Sequence, residues 1–271
     1  DAIEALCADP ENVQAAERVL ELAREDTDGA QAARLRIASE PAPIPLELTY
    51  REYNRNNLHM PRRPKKVAAP EDLHALVAEL QSAADQWLPT KAIGDGYGFA
   101  NTGFTRGLLL PMVRRLNKIL PVDGDVLKAG VHKESLCAFQ GGTTIQTLNR
   151  ALWERGKCLW NQPGFEKLTF IGTMSSGGHG SGTWLGPLSS QVKALHMVTL
   201  DRDRKVVQFR IESSQGISEP ARFKQKYPNV ELVQDDSLFH ACTVSMGCLG
   251  VIYAAIIEVR VQRPQWQQFL Q

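Results

Sequence analysis

Three short stretches concentrate the residues that could do chemistry. Residues 170–184, FIGTMSSGGHGSGTW, hold five glycines, several hydroxyl side chains and one histidine, His179. Residues 94–98, GDGYG, and residues 247–250, GCLG, repeat the glycine theme beside apolar runs. Glycine has no Cβ, so its backbone reaches left-handed angles and comes close to a ligand. Successive N–H groups in such a turn form a positive nest that holds an anion without lysine or arginine. Serine hydroxyls, here Ser175, Ser176 and Ser181, add donors. Two such turns from neighbouring strands can grip a diphosphate between them, whereas a flexible-linker reading has to be invoked separately for each. Because glycine packs poorly and is costly to order, residues 170–184 are expected as loop, neither helix interior nor strand.

Other anion and metal sites fail on context. The dinucleotide fingerprint G-x-G-x-x-G must open a helix and be followed about twenty residues later by an acid. Here a turn-like segment follows, and Arg114 and Arg115 stand where the acid should be. No glycine precedes Lys-Ser or Lys-Thr in the frame of a phosphate-binding P-loop. The five cysteines, at 7, 137, 158, 242 and 248, match no zinc spacing. His59 and His132 lie in polar stretches, and His196 and His240 fall inside strand or helix patterns as structural residues. No metal site is expected.

The elements that must position the glycine turns follow from periodicity. Asp9-Pro10 and the spacing of Val13, Ala16, Leu20 and Ala23 predict a helical N-terminal extension, and SEPAPIPLE makes residues 1–47 end in a proline-rich linker. KVAA reads as a short strand, and Pro70 as the opening of a helix whose apolar face is Leu73, Leu76, Val77 and Leu80. TKAI is a strand running into residues 94–98, and LCAFQ a strand reaching Gly141 and Gly142. Thr143 or Thr144 caps a helix with Ile145, Leu148 and Leu152 inward, stopped at Gly156. LTFIGTM reads as a strand feeding residues 170–184. VKALHMVTLD and KVVQFRIE read as a hairpin, and LGVIYAAIIEVRV as a long β-branched strand. The class is α+β: a small βα subdomain over residues 65–142 and a larger antiparallel sheet with helices over 143–262.

Bulk properties narrow the partners. Thirty-one Lys and Arg against thirty Asp and Glu leave a net charge of +1, which gives no cationic footprint for nucleic acid. No apolar run reaches the length of a membrane span. Scattered cysteines and an N-terminus without a leader pattern make a reducing, cytoplasmic setting the expectation.

The succession VAAPEDLHALV, AIGDGYGFANTG, FQGGTTIQTLNRALWERG, LTFIGTMSSGGHGSG and SMGCLGVIYAAIIEV resembles the FAD-binding (PCMH-type) domain of the vanillyl-alcohol-oxidase family. All five blocks occur in order, covering about residues 67–261. The G-x-H-G-S-G form of the second turn looks most like the aldonolactone, alditol and sterol oxidase branch. The resemblance implies a two-subdomain FAD-binding PCMH-type fold over residues 48–262. It implies that Gly94, Asp95, Gly96, Tyr97, Gly98 and Phe99 form a first pyrophosphate loop. Gly172, Thr173, Ser175, Ser176, Gly177, His179, Gly180 and Ser181 match a second. Gly250, Val251 and Ile252 match the strand that borders the cofactor through its backbone. Gly141, Gly142 and Thr143 shape a turn and do not touch FAD, and His179 is a loop-structuring or phosphate-side residue.

Departures from the family pattern carry expectations too. Members that attach flavin through histidine carry it where this chain has Tyr97, and the segment before the second loop, NQPGFEKLTFIG, has no cysteine. Non-covalent FAD is therefore expected. The family's cap domain, which supplies the substrate wall and base, would begin near residues 263–271, so it lies on another segment or has been lost, and no catalytic residue is assigned. The implied function is an FAD-dependent oxidoreductase taking a hydride from the CH–OH group of an alcohol, sugar, lactone or sterol-like substrate. Oxygen or a carrier would accept the electrons. The alternative is a non-catalytic flavin-domain fold acting as a binding or assembly module.

Overall fold

The computed structural model describes residues 64–98, 103 and 105–262. The N-terminal extension and linker expected over residues 1–47, the cap start at 263–271 and Phe99 lie outside the described residues.

A small parallel sheet comes first. Strands β1 (Lys66–Val67), β2 (Thr90–Ile93) and β3 (Leu108–Pro111) run parallel in the order β1-β3-β2. Helix α1 (Leu73–Asp85) crosses between β1 and β2. It starts three residues beyond Pro70, where the sequence placed it, because the Asp72 carboxylate accepts the Ala75 N–H at 2.7 Å and caps the first turn. Leu76, Leu80, Ala83 and Ala84 form its buried face.

The larger sheet has six strands in the order β4-β5-β10-β7-β8-β9. They are β4 (Ile119–Leu120), β5 (Leu136–Gln140), β7 (Val192–Leu200), β8 (Val206–Glu212), β9 (Glu231–Gln234) and β10 (Val251–Glu258). A separate two-stranded ribbon pairs β6 (Lys157–Cys158) with β11 (Arg260–Val261). Neighbours in the large sheet are antiparallel except β8 and β9, which a crossover helix, α4 (Pro220–Lys226), makes parallel. The small sheet ends with β3 at Pro111, and the large sheet begins with β4 at Ile119. Strand β5 is buried at every position because both its faces are covered. Cys137 and Phe139 meet the helices, and Leu136 and Ala138 meet Leu127 and Ile217.

Three helices cover one face of the large sheet. They are α2 (Ile145–Trp153), α3 (Phe170–Ser175) and α5 (Asp236–Thr243). Ile145, Leu148 and Leu152 of α2, Phe170 and Met174 of α3, and Phe239 of α5 share one core with Leu195, Met197 and Ile257. Thr144, not Thr143, caps α2, accepting the Thr147 N–H at 3.1 Å, and Gly156 follows with φ +65°. The hairpin is tied to α1 by its turn: Arg204 lies 3.3 Å over the Trp87 ring, and Gln81 accepts the Val206 N–H.

Helix α3 overturns two expectations. Residues 168–174 are not a strand, and the glycine-rich run is not loop from its first residue. Phe170, Ile171 and Met174 are buried at helical spacing, and the Thr169 hydroxyl caps the turn by accepting the Gly172 N–H at 3.2 Å. Burying two large apolar side chains stabilises by about 1.5–3 kcal/mol each. That outweighs the penalty of roughly 1 kcal/mol for one helical glycine.

Candidate cofactor-binding site

The first glycine stretch leaves β2 and runs against the start of α3. A Cβ on Gly94 would lie 2.3 Å from Thr169 Oγ1, the hydroxyl that caps that helix. Gly94 is therefore glycine because two segments close on it. Gly96 has φ +75°, a left-handed angle glycine adopts freely. The Tyr97 ring meets Phe165 edge-on, centroids 5.0 Å apart at 77°. Asp95 and Gly98 complete the described part of this stretch.

The second stretch divides into two unlike halves. In the helical half the donors are engaged locally. The Gly172 N–H and the Thr173 hydroxyl both bond Thr169, and the Ser176 hydroxyl donates back to the Gly172 and Thr173 carbonyls, each at 3.1 Å. Ser175 is buried. Ser176 thus serves the end of α3 instead of adding a free donor. The turn half begins at Gly177, φ +77°, where a Cβ would meet nothing within 4 Å. The Gly177 and Gly178 N–H groups close the helix end on Met174 and Thr173.

Among the described residues, no N–H of residues 179–182 donates to a backbone carbonyl. His179 Nδ1–H donates to the Gly180 carbonyl at 2.8 Å, so its ring braces the turn. A Cβ on Gly180 would lie 2.0 Å from Asn161 Oδ1, which seats the turn on residues 161–162.

The third stretch meets the other two at the end of α3. The Met246 N–H donates to the Ser175 carbonyl at 3.1 Å, and Lys91 Nζ donates to the Met246 carbonyl at 2.8 Å. Ser245 Oγ is buried and has no hydrogen-bond partner. Gly250, φ +139°, leads into β10, and a Cβ there would lie 2.9 Å from both the Val198 carbonyl oxygen and Thr199 Cβ. Val251 and Ile252 bury their side chains, so only their backbone is available to a ligand. Gly141 and Gly142 are pressed on protein backbone: a Cβ would lie 2.2 Å from the Ile252 carbonyl oxygen and 2.1 Å from that of Met112, respectively. Thr143 is fully buried. These three shape the turn.

His196 is set apart from these stretches by its chemistry. Burial pushes its pKa down to about 4, against the hydrogen bond that its Nε2–H gives Gln208 at 3.1 Å, so the ring is neutral at neutral pH. Among the described residues, no group of three His, Cys, Asp or Glu could hold a metal ion, and no helix is long and apolar enough to cross a membrane.

The residues present fit a dinucleotide. Gly94 lets the first stretch close on the start of α3, and the third stretch is bonded to the end of that helix. The N–H groups of residues 179–182 make no backbone hydrogen bond, and one buried hydroxyl lacks a partner. Thr169, Lys91, Met246 and Phe165 were missed by sequence reasoning. Thr169 alone carried a readable signal, as a threonine three residues before the helical Gly172.

Comparison with known proteins agrees. The profile described as "FAD binding domain" matches residues 64–208, more than half of the chain. The chain belongs to this FAD-binding-domain family. Within it, L-gulono-1,4-lactone dehydrogenase of Mycobacterium tuberculosis is 25% identical over 195 residues, 72% of this chain and 37% of that protein. Mitochondrial L-galactono-1,4-lactone dehydrogenase of Brassica oleracea is 25% identical over 233 residues, 85% of this chain and 32% of that protein. Among solved structures, the oxidoreductase GilR with pregilvocarcin superposes with a TM-score of 0.55 at 20% identity, covering 74% of this chain and 37% of its own. Cholesterol oxidase from Brevibacterium sterolicum gives 0.52 at 14% identity, covering 71% and 33%. These structural likenesses extend the shared fold. This family member spans about a third of the length of those relatives.

Proposed function

We propose that this chain is the FAD-holding part of an oxidoreductase acting on CH–OH groups of sugar lactones or related alcohols. The observation that carries the proposal is the contact between Gly94 and Thr169, which sets the first glycine loop against the helix that opens the second. The lactone dehydrogenases among its relatives support the substrate class. FAD, when bound, supplies a hydride acceptor.

The chain's own residues would bind and orient that group. Amides of residues 179–182 and the left-handed turn at Gly96 would hold the diphosphate, and the backbone of Val251 and Ile252 would border the dinucleotide. Attachment is non-covalent in this reading. Tyr97 offers a phenol, turned edge-on to Phe165, where an imidazole would be needed, and residues 161–172 contain no cysteine. The substrate wall and proton-accepting group would come from a cap domain on another segment, with oxygen or a carrier as electron acceptor.

Purified protein is expected to show the visible absorption of oxidised flavin, or to acquire it when FAD is added. Acid precipitation should leave that flavin in the supernatant. Flavin in the pellet would overturn non-covalent attachment. Colourless protein that takes up no FAD would leave the binding or assembly module as the reading.

A further inference from the structure

We propose that Lys91 is a positioning residue for the dinucleotide, acting through the Met246 peptide that it pins. The inference rests on the FAD-binding reading and concerns a residue outside the glycine motifs.

Met246 has φ +48°, an angle that L side chains rarely adopt. Its side chain is 43% exposed, so packing does not force that conformation. Its backbone is held at both ends instead. The N–H donates to the Ser175 carbonyl at the end of α3, and the carbonyl accepts from Lys91 Nζ at 2.8 Å. An ammonium donor makes the second bond the stronger kind.

The placement of these partners gives the pin its meaning. Lys91 stands three residues before Gly94, Ser175 two before Gly177, and Met246 four before Gly250. One residue, through the peptides on either side of it, thus ties together the entry to each of the three ligand-facing turns. Gly247, φ +69°, takes the left-handed turn beside the ammonium group, and a Cβ there would be in ordinary contact with Lys91 Nζ at 3.5 Å. Ser245, immediately before the pinned residue, carries the buried hydroxyl without a partner. Fixing Met246 fixes that hydroxyl.

The test is FAD titration and dissociation in the full chain, read by flavin fluorescence, for the parent, Lys91→Met and Lys91→Arg. Lys193→Met is the control: it removes the same charge at an ion pair with Glu258. Lys91→Met should raise the Kd about tenfold, 1.4 kcal/mol, with faster FAD release. Lys91→Arg should recover to within about threefold, because it keeps a cationic donor. Lys193→Met should match the parent. Unchanged affinity and release in Lys91→Met would overturn the pin, even with a lowered Tm. A parent that takes up no FAD would overturn the FAD-binding reading itself, and the pin with it. Should Lys91→Met fail to fold, hydrogen exchange of the parent decides: the Met246 amide should slow on FAD addition, and an unchanged rate would overturn the proposal.

Discussion

Residues 94–98 and residues 170–182 look alike as strings of glycine and polar residues, and they lie against each other in the folded chain. They use their glycines for different ends. Gly94 and Gly180 are crowded, each with another segment where a side chain would be, while Gly177 faces open space with a left-handed backbone. Half of the second stretch is a helix with its hydroxyls turned onto its own carbonyls. Glycine content therefore marks two separate demands, close approach between segments and a backbone angle. They answer to different substitutions.

Gly94→Ala tests the crowded class and should have the largest effect. Its methyl would displace the hydroxyl that caps α3, an overpacking loss on the order of 3 kcal/mol, with FAD uptake reduced at least about tenfold. Thr169→Ala alone should cost about 1 kcal/mol through the lost cap. The double variant should be less damaged than the sum by about 1 kcal/mol or more, measured by denaturant unfolding. Additive losses would mean that the two stretches do not press on each other.

The sheet beneath both stretches supplies the next test, because its histidine is buried where the loop's is exposed. His196 is depressed to about 4, so the unfolded chain binds the extra proton between roughly pH 6.5 and 4. Stability from this residue is complete above that window and falls through it as the solution is acidified, by at most about 1.4 kcal/mol per pH unit. His196→Gln should flatten unfolding free energy against pH in that range. Gly177→Ala then tests the open class, with a loss of about 1–2 kcal/mol from the backbone angle alone. A loss well above that would reveal crowding. Ser176→Ala should be smallest, within about 0.5 kcal/mol and about twofold in FAD affinity, since its hydroxyl serves the helix end.

Much of the fold could be read from local pattern. The hairpin, the long strand β10 and helix α2 declare themselves through alternation, β-branching and a threonine cap. Helix α3 was obscured because glycine count outweighed three apolar residues at helical spacing. Strand β9 was hidden because Glu231–Gln234 is a short edge strand with no alternation to betray it. In the site, the glycine turns and the strand beginning at Gly250 were legible as types. The meeting of Gly94 with Thr169, and of Lys91 with Met246, was not. Such contacts join segments far apart in sequence, and no spacing encodes them.

The position of β10 has a consequence for how the chain becomes a protein. It lies between β5 and β7 in the large sheet, although β5 is made long before it. During synthesis, residues 136–140 and the hairpin of β7 and β8 emerge with a gap between them that nothing yet fills. Pairing over such separations is slow, and waiting edges invite misassembly. The middle of the sheet can be completed only once residues 251–258 are available to pair with both neighbours. The strand that completes the large sheet is thus the same one that Gly250 leads into.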